Sequence, residues 1–217
     1  MNQVQTNVVF NHAYKFYRSD NKILIERGGS RSGKTFNILL WIIFDYCFQN
    51  RNNIITICRK TFPSLRATVM RDFLDILKSY SLYSENNHNK SNSEYYLNNN
   101  TIEFISLDQP AKIRGRKRNL LFLNEANEID WDSWQQLIFR TSGKILLDYN
   151  PSEANHWIYD KVETREDSVF YKTTYKDNPF IDKTLVHELE RLKETDEEYW
   201  QVFGLGERAL SRTQIFT

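Results

Sequence analysis

Short apolar runs alternate with longer stripes of helical spacing along this chain. Ile23-Leu24-Ile25 has the form of a buried strand, and the nearly unbroken apolar stretch Phe36 to Phe48 predicts a buried helix. Ile54 to Cys58 is a second β-branched run. Ser64 to Tyr80 places Leu65, Val69, Phe73, Leu74 and Leu77 on one side of a helix, with Pro63 suited to its start. Tyr95-Tyr96-Leu97 and Ile102 to Ile105 predict a hairpin turning on Asn98-Asn99-Asn100. Leu120 to Leu123 is continuously apolar, as expected of a central parallel strand. Asp130 is placed to cap a Trp-rich helix from Trp131 to Arg140. Lys144 to Tyr149 and Ser168 to Thr174 read as later strands. Leu185, Val186, Leu189 and Leu192 form a helical stripe, and Thr195 with Glu198 reads as a capping box for a short helix through Phe203. Residues 1–22 are polar with interspersed aromatics, and residues 204–217 show no period.

Strand and helix in alternation predict an α/β fold: a mainly parallel central sheet flanked by helices, with right-handed crossovers. The expected organisation is one domain over residues 1–203, with a helical part at about 180–203, and a linker at 204–217.

The segment between the first strand and the first long helix carries the strongest chemical signal. Gly28-Gly29-Ser30-Arg31-Ser32-Gly33-Lys34-Thr35 fits G-x-x-x-x-G-K-[ST] and lies where that pattern has physical meaning. Glycines let backbone N–H groups converge on phosphates, and the helix N-terminus adds partial positive charge. All eight residues are therefore nucleotide-binding candidates. Lys34 would reach the β- and γ-phosphates, and the Thr35 hydroxyl would face Mg²⁺. The expected fold class is a P-loop NTPase of the ASCE type, with ATP and Mg²⁺ as its cofactors.

Leu120 to Leu123 leads into Asn124-Glu125, the place of the acid pair that such ATPases carry. Glu125 is the candidate catalytic residue, orienting the attacking water. Asn124 stands where an Asp is usual. Its amide can hold a Mg²⁺-bound water but adds no negative charge, so weaker metal binding is expected, or help from another acid such as Asp148. Asn150 ends the next strand at the ligand-binding edge, where a short amide could sense the γ-phosphate; an Asn-Pro turn is the plainer alternative.

Several arginines could stabilise the charge that develops in phosphoryl transfer: Arg31 inside the loop, Arg59 and Arg66 after the second strand, and the run Lys112, Arg114, Arg116, Lys117, Arg118. That run reads equally as an arginine finger for a neighbouring subunit, a patch for DNA phosphates or a solvated loop. Tyr14 and Tyr17 are the candidates for stacking on adenine.

Composition narrows the setting. The net charge of +1 gives no global pull toward nucleic acid, so polyanion binding must be local. Cys47 and Cys58 lie in apolar segments at no metal-ligand spacing and read as buried thiols of a reducing compartment. The longest apolar candidate for a membrane span, Ile38 to Phe48, is broken by Asp45 and too short.

Taken in order, the loop motif, Arg59-Lys60-Thr61-Phe62-Pro63-Ser64-Leu65-Arg66, Asn124-Glu125-Ala126-Asn127-Glu128, Asp148-Tyr149-Asn150-Pro151, Tyr175-Lys176-Asp177-Asn178-Pro179-Phe180 and Tyr199 to Glu207 resemble the ATPase domain of phage large terminases. The resemblance implies an ATP-hydrolysing motor that moves double-stranded DNA into a procapsid. It implies catalytic roles for Lys34 and Glu125, a coupling role for Asn150, and a loop arginine at Arg31. Arg114, followed by Gly115, best fits an arginine acting across subunits. Portal or procapsid, a small terminase subunit and a homo-oligomeric ring are the implied partners, with a monomer when free, no membrane partner, and action in the host cytoplasm. Family members carry a C-terminal nuclease, which this chain is expected to lack. A P-loop kinase and a non-catalytic nucleotide-binding module remain as alternatives, separated from the motor by multiple-turnover phosphate release.

Overall fold

The protein is described from a computed structural model covering residues 4–108 and 117–209. In chain order the strands are β1 (Ile23–Gly28), β2 (Ile54–Arg59), β3 (His88–Asn89), β4 (Glu94–Leu97), β5 (Asn100–Ser106), β6 (Arg118–Leu123), β7 (Thr141–Tyr149) and β8 (Ser168–Thr173). They form one sheet in the order β3-β4-β5-β2-β6-β7-β1-β8. From β5 to β8 every pairing is parallel, and only the β3-β4-β5 margin is antiparallel. β7 lies between β1, which feeds the glycine loop, and β6, which ends in Asn124-Glu125. The strand placed between loop and acid thus delivers its own C-terminal residues, Asp148 to Asn150, into the same edge.

Helices cover both faces, as the apolar strands require. On one face, α1 (Val8–Tyr17), α2 (Lys34–Trp41) and α5 (Arg71–Ser79) bury Val9, Ala13, Phe16, Ile38, Phe73 and Leu77 against Leu24, Phe122 and Leu146. α2 runs through a π-turn (Ile42–Tyr46) into α3 (Cys47–Gln49), and α4 (Phe62–Leu65) runs through another (Arg66–Met70) into α5. On the other face, α6 (Trp131–Ile138) and α7 (Trp157–Lys161) pack Trp134, Leu137 and Ile158 on Ile25, Leu121 and Leu147.

The hairpin turn is as expected, with φ of 53° at Asn98 and 60° at Asn99. Two left-handed residues match the twist of the flanking strands, and Asn tolerates that conformation. The asparagines also finish a helix: Asn98 Nδ2 donates to Cys47 O at 2.7 Å, and Asn100 Nδ2 to Asn50 O at 2.8 Å. These carbonyls lie at the end of α3 and have no intrahelical partner of their own.

One expected cap changes, and a segment for which no element was expected forms a helix. Residues 8–17 are a helix, capped by Asn7, whose side chain accepts from Val9 N at 2.9 Å. The last short helix, α9 (Glu197–Tyr199), follows α8 (Lys183–Thr195) and is capped by Asp196, which accepts from Tyr199 N at 3.0 Å; Thr195 instead donates to Arg191 O. Residues 204–209, the described part of the expected linker, make close contacts with the loop and with Pro151. Gly206, at φ 66°, lies where an added Cβ would meet the Cα of Gly28 at 2.6 Å, and Ala209 N donates to Pro151 O at 3.1 Å. No helix among the described residues is long and apolar enough to cross a membrane.

Candidate nucleotide site

The loop turns between β1 and α2 by using two left-handed residues, Arg31 at φ 63° and Gly33 at φ 80°. Glycine tolerates this at Gly33 without a Cβ penalty, whereas Arg31 sits there as a non-glycine residue, exposed at the loop tip. The loop is braced from outside. Asn7 Nδ2 donates to Ser32 O and Asn178 Nδ2 to Arg31 O, both at 2.8 Å, while Ser30 N donates to Phe203 O at 2.6 Å.

Lys34 is the first residue of α2 and is buried. Its Nζ donates to Gly29 O at 2.9 Å, to Gly28 O at 3.0 Å and to Asn150 Oδ1 at 3.0 Å. Burial lowers the pKa of this ammonium, and the carboxylates of Asp148, Glu125 and Glu26 oppose that shift. Asn150 therefore touches the loop lysine, a position compatible with the coupling role expected of it.

Thr35 Oγ1 donates to Asp148 Oδ2 at 2.5 Å. Asn124 Nδ2 donates to Thr35 Oγ1 at 3.1 Å and to Asp148 Oδ1 at 3.0 Å, and Glu125 N donates to Asp148 Oδ1 at 2.9 Å. Asp148 is 1% exposed, so this carboxylate has been taken out of water and given donors in exchange. Burial raises its pKa, opposed by the hydrogen bond from Thr35 and the charge of Lys34. The negative charge missing at Asn124 is thus supplied one strand away.

Glu125 sits at φ 53°, ψ 56°. Left-handed backbone at a non-glycine residue costs about 1–3 kcal/mol and is concentrated at functional sites. The Glu125 carboxyl lies close enough to Asp148, Lys34 and Arg59 to feel their charges. Burial, then the neighbouring Asp148, raise the Glu125 pKa well above the usual carboxylate range, while Lys34 and Arg59 oppose the shift. A carboxylate tuned toward neutrality suits a general base.

The residues present fit a hard divalent cation. Thr35 Oγ1, the Asp148 carboxylate and Asn124 Oδ1 offer oxygen donors at one place, and Asn124 Oδ1 is buried with no hydrogen-bond partner in the structure. Oxygen-only donors suit Mg²⁺. Asn124 would turn its free carbonyl oxygen to the ion or its water, while its amide nitrogen is held by Asp148.

Other expected residues fall elsewhere. Tyr14 is exposed, with the Arg18 guanidinium 3.5 Å over its ring. Tyr17 packs its ring on Tyr46 at 5.3 Å and Trp41 at 5.7 Å, and donates to Asn50 Oδ1 at 3.1 Å. Asn50 is at the far end of the helical run from the loop, so neither tyrosine is placed for a bound base. A cavity of about 290 Å³ does open beside Gly33, lined by Gln5, Phe36, Asn37, Tyr80, Asn178 and Phe180. Phe36 and Phe180 are among the exposed large apolar residues of the structure, and no local sequence pattern pairs them. Arg114 lies outside the described residues, as do Lys112 and Arg116. Arg118 is 1% exposed inside β6 and is structural rather than a finger. Arg59 is held by Glu128 at 3.2 Å and by Thr68 Oγ1 at 2.7 Å. Among the described residues no cluster of His, Cys, Asp and Glu could hold a metal by itself.

A glycine loop cradling a helix N-terminus, with an extra strand between it and an acid-bearing strand, defines a P-loop NTPase of the ASCE class. Residues 20–207 match the phage terminase large subunit family, and the chain belongs to that family. It is 22% identical over 207 residues to the PBSX phage terminase large subunit of Bacillus subtilis (strain 168), covering 82% of this chain and 47% of that protein. In structure it is similar to the large terminase of a thermophilic bacteriophage, with a TM-score of 0.75 and 17% identity over 95% of this chain and 54% of that one. A complex of that terminase with ADP gives a TM-score of 0.74 at 18% identity over 94% of this chain and 53% of that one. The large terminase ATPase domain of Thermus phage P74-26 gives 0.62 at 15% identity over 90% of this chain and 92% of that one. The chain spans about half the length of the full-length relatives it matches.

Proposed function

We propose that this chain binds ATP at the Gly28–Thr35 loop and hydrolyses it to move double-stranded DNA into a procapsid. The observation that carries the reading is that one sheet edge brings together Lys34, hydrogen-bonded to Asn150, and the network of Thr35, Asn124, the Glu125 amide and Asp148. Membership of the terminase family supports it, as does the ADP complex of the thermophilic phage relative.

The loop amides and Lys34 would grip the phosphates. Lys34 would exchange its bonds to Gly28 and Gly29 carbonyls for phosphate oxygens, leaving Asn150 to register whether the γ-phosphate is present. Mg²⁺, when bound, neutralises charge growing on the β- and γ-phosphate oxygens, and Thr35, Asp148 and Asn124 would hold it or its waters. Glu125 would accept the proton of a water attacking the γ-phosphorus in line. Positioning and electrostatics, rather than covalent chemistry, would supply the acceleration. The cavity beside Gly33 would take the base, with Phe36 and Phe180 on its faces and the Gln5 amide on its edge.

Arg31, at the loop tip, and Arg114, from a neighbouring copy, would complete the site in a ring on the portal, with a small terminase subunit selecting the DNA. The test is steady-state phosphate release with Mg²⁺ and ATP, with and without duplex DNA and procapsids. Free phosphate over many turnovers, stimulated by the packaging components, supports the motor. Phosphate transferred to an acceptor, or at most one turnover, contradicts it.

A further inference from the structure

Glu125 sits in left-handed backbone, a posture that a glutamate keeps only where its surroundings fix it. Three interactions do so. On the upstream side, Glu125 N donates to Asp148 Oδ1 at 2.9 Å. On the downstream side, Glu128 N donates to Glu125 O at 3.0 Å and closes the short 3₁₀ turn Ala126–Glu128. The third hold is on the Glu128 side chain, and it comes from Arg59.

Arg59 is the last residue of β2, the strand that pairs with β6. Its guanidinium meets the Glu128 carboxylate with two nitrogens, Nη2 to Oε1 at 3.2 Å and Nε to Oε2 at 3.4 Å. A two-nitrogen fork of this kind fixes direction as well as distance. The third nitrogen, Nη1, donates to Thr68 Oγ1 at 2.7 Å. Thr68 Oγ1 in turn donates to Ser64 O at 2.6 Å, so its hydroxyl is oriented to accept from Arg59. Thr68 belongs to the π-turn Arg66–Met70 between α4 and α5, and π-turns inside helices are frequent at functional sites. The Arg59 side chain is only 15% exposed, so the strut is sheltered from solvent. It runs from a helix, through Arg59 and Glu128, to the turn that carries Glu125.

We propose that Arg59 is a positioning residue for hydrolysis: acting through Glu128, it holds the 125–128 turn so that the Glu125 carboxyl meets the attacking water. The role depends on Glu125 being the general base. An arginine at this edge could instead stabilise charge on the phosphates directly. The geometry disfavours that, because each of the three guanidinium nitrogens is already engaged by Glu128 or Thr68. A small misplacement of a base can cost about 10²-fold in rate, so a strut that never touches the nucleotide still governs turnover.

The test uses the full chain carrying Arg59→Ala, Arg59→Lys, Glu128→Gln, or Arg59→Ala with Glu128→Gln. Steady-state phosphate release should show kcat lowered about 10–100-fold by Arg59→Ala and by Glu128→Gln, with the ATP KM within about two-fold of the parent. The double variant should be no slower than Arg59→Ala, because both substitutions remove the same strut. Arg59→Lys keeps the charge without the fork and should recover less than about two-fold. In the nucleotide-free protein, amide hydrogen exchange should accelerate at residues 124–129 and stay unchanged at residues 28–35. Thr68→Val leaves the Glu128 pair in place and should lower kcat by about three-fold; with Glu128→Gln it carries the test if Arg59→Ala does not fold. Losses that multiply in the double variant, full recovery by Arg59→Lys, or a rise in KM that accounts for the whole loss would overturn the proposal and point to direct contact with the phosphates. An unchanged kcat with only a lower Tm would overturn it too, leaving the strut purely structural. Glu125→Gln is measured alongside. If that variant keeps its turnover, the assignment of the base fails; if it loses turnover while the Arg59 and Glu128 variants do not, only the positioning role fails.

Discussion

Thr35 Oγ1 and Asp148 Oδ2 are 2.5 Å apart, joining the last residue of the glycine loop motif to a carboxylate that β7, not the acid-bearing strand, brings to the site. That bond brings a carboxylate to the place where the sequence leads one to expect a metal. It predicts that Asp148→Asn lowers turnover about 10²-fold or more at moderate Mg²⁺, with partial recovery at high Mg²⁺. Asn124→Asp should not improve the enzyme, because a second carboxylate would stand about where Nδ2 now lies 3.0 Å from Asp148 Oδ1. A titration of phosphate release against Mg²⁺ for both variants checks this; a gain for Asn124→Asp would contradict it.

Lys34 holds a buried positive charge among Asp148, Glu125 and Glu26. Lys34→Ala should therefore lose more than ligand. Calorimetry should show nucleotide affinity reduced at least ~10²-fold, and thermal unfolding near pH 8 should show destabilisation on the order of 3 kcal/mol, the cost of leaving buried acids without their partner.

Base recognition separates two sets of aromatics. Phe36→Ala should raise the ATP KM about ten-fold and leave kcat largely intact, as expected when uniform binding is removed. Tyr14→Ala should change neither, since that ring is occupied by Arg18 on the surface. Steady-state kinetics with both variants decides between the cavity and the N-terminal tyrosines.

Glu26 gives a pH signature. It is fully buried on β1, with Oε1 2.9 Å from His12 Nδ1, and burial pushes its carboxyl up to about 7. A raised acid pKa means the folded state favours the protonated form. Its contribution to stability is complete below the usual carboxylate pKa and is lost as pH climbs to about 7. The loss is roughly 3 kcal/mol across that window. Glu26→Gln should flatten the fall in thermal stability between pH 4.5 and pH 7 measured by calorimetry, whereas an unchanged slope would place the titration elsewhere.

Much of this was legible in the sequence because single-strand and single-helix signals are local. The apolar run Leu120 to Leu123 and the loop between Ile25 and Phe36 announced their elements, and the structure keeps both within a few residues. Val9, Ala13 and Phe16 fall at i, i+4 and i+7 behind the Asn7 cap, a helical signal diluted by the aromatics Phe10, Tyr14 and Tyr17 between and beside them. Asp148 was foreseen as a helper. Its bonds to Thr35 and Asn124 depend on β7 falling between β1 and β6, a strand order that no local pattern encodes. The pairing of Phe36 with Phe180 around one cavity likewise joins residues far apart in sequence.

The most direct measurement is multiple-turnover phosphate release by Glu125→Gln beside its ATP affinity. With Glu125 as the base, turnover falls about 10²–10⁴-fold while ATP binds as tightly as before or nearly so. A variant that keeps most of its turnover would remove Glu125 from the chemistry and contradict the site described here.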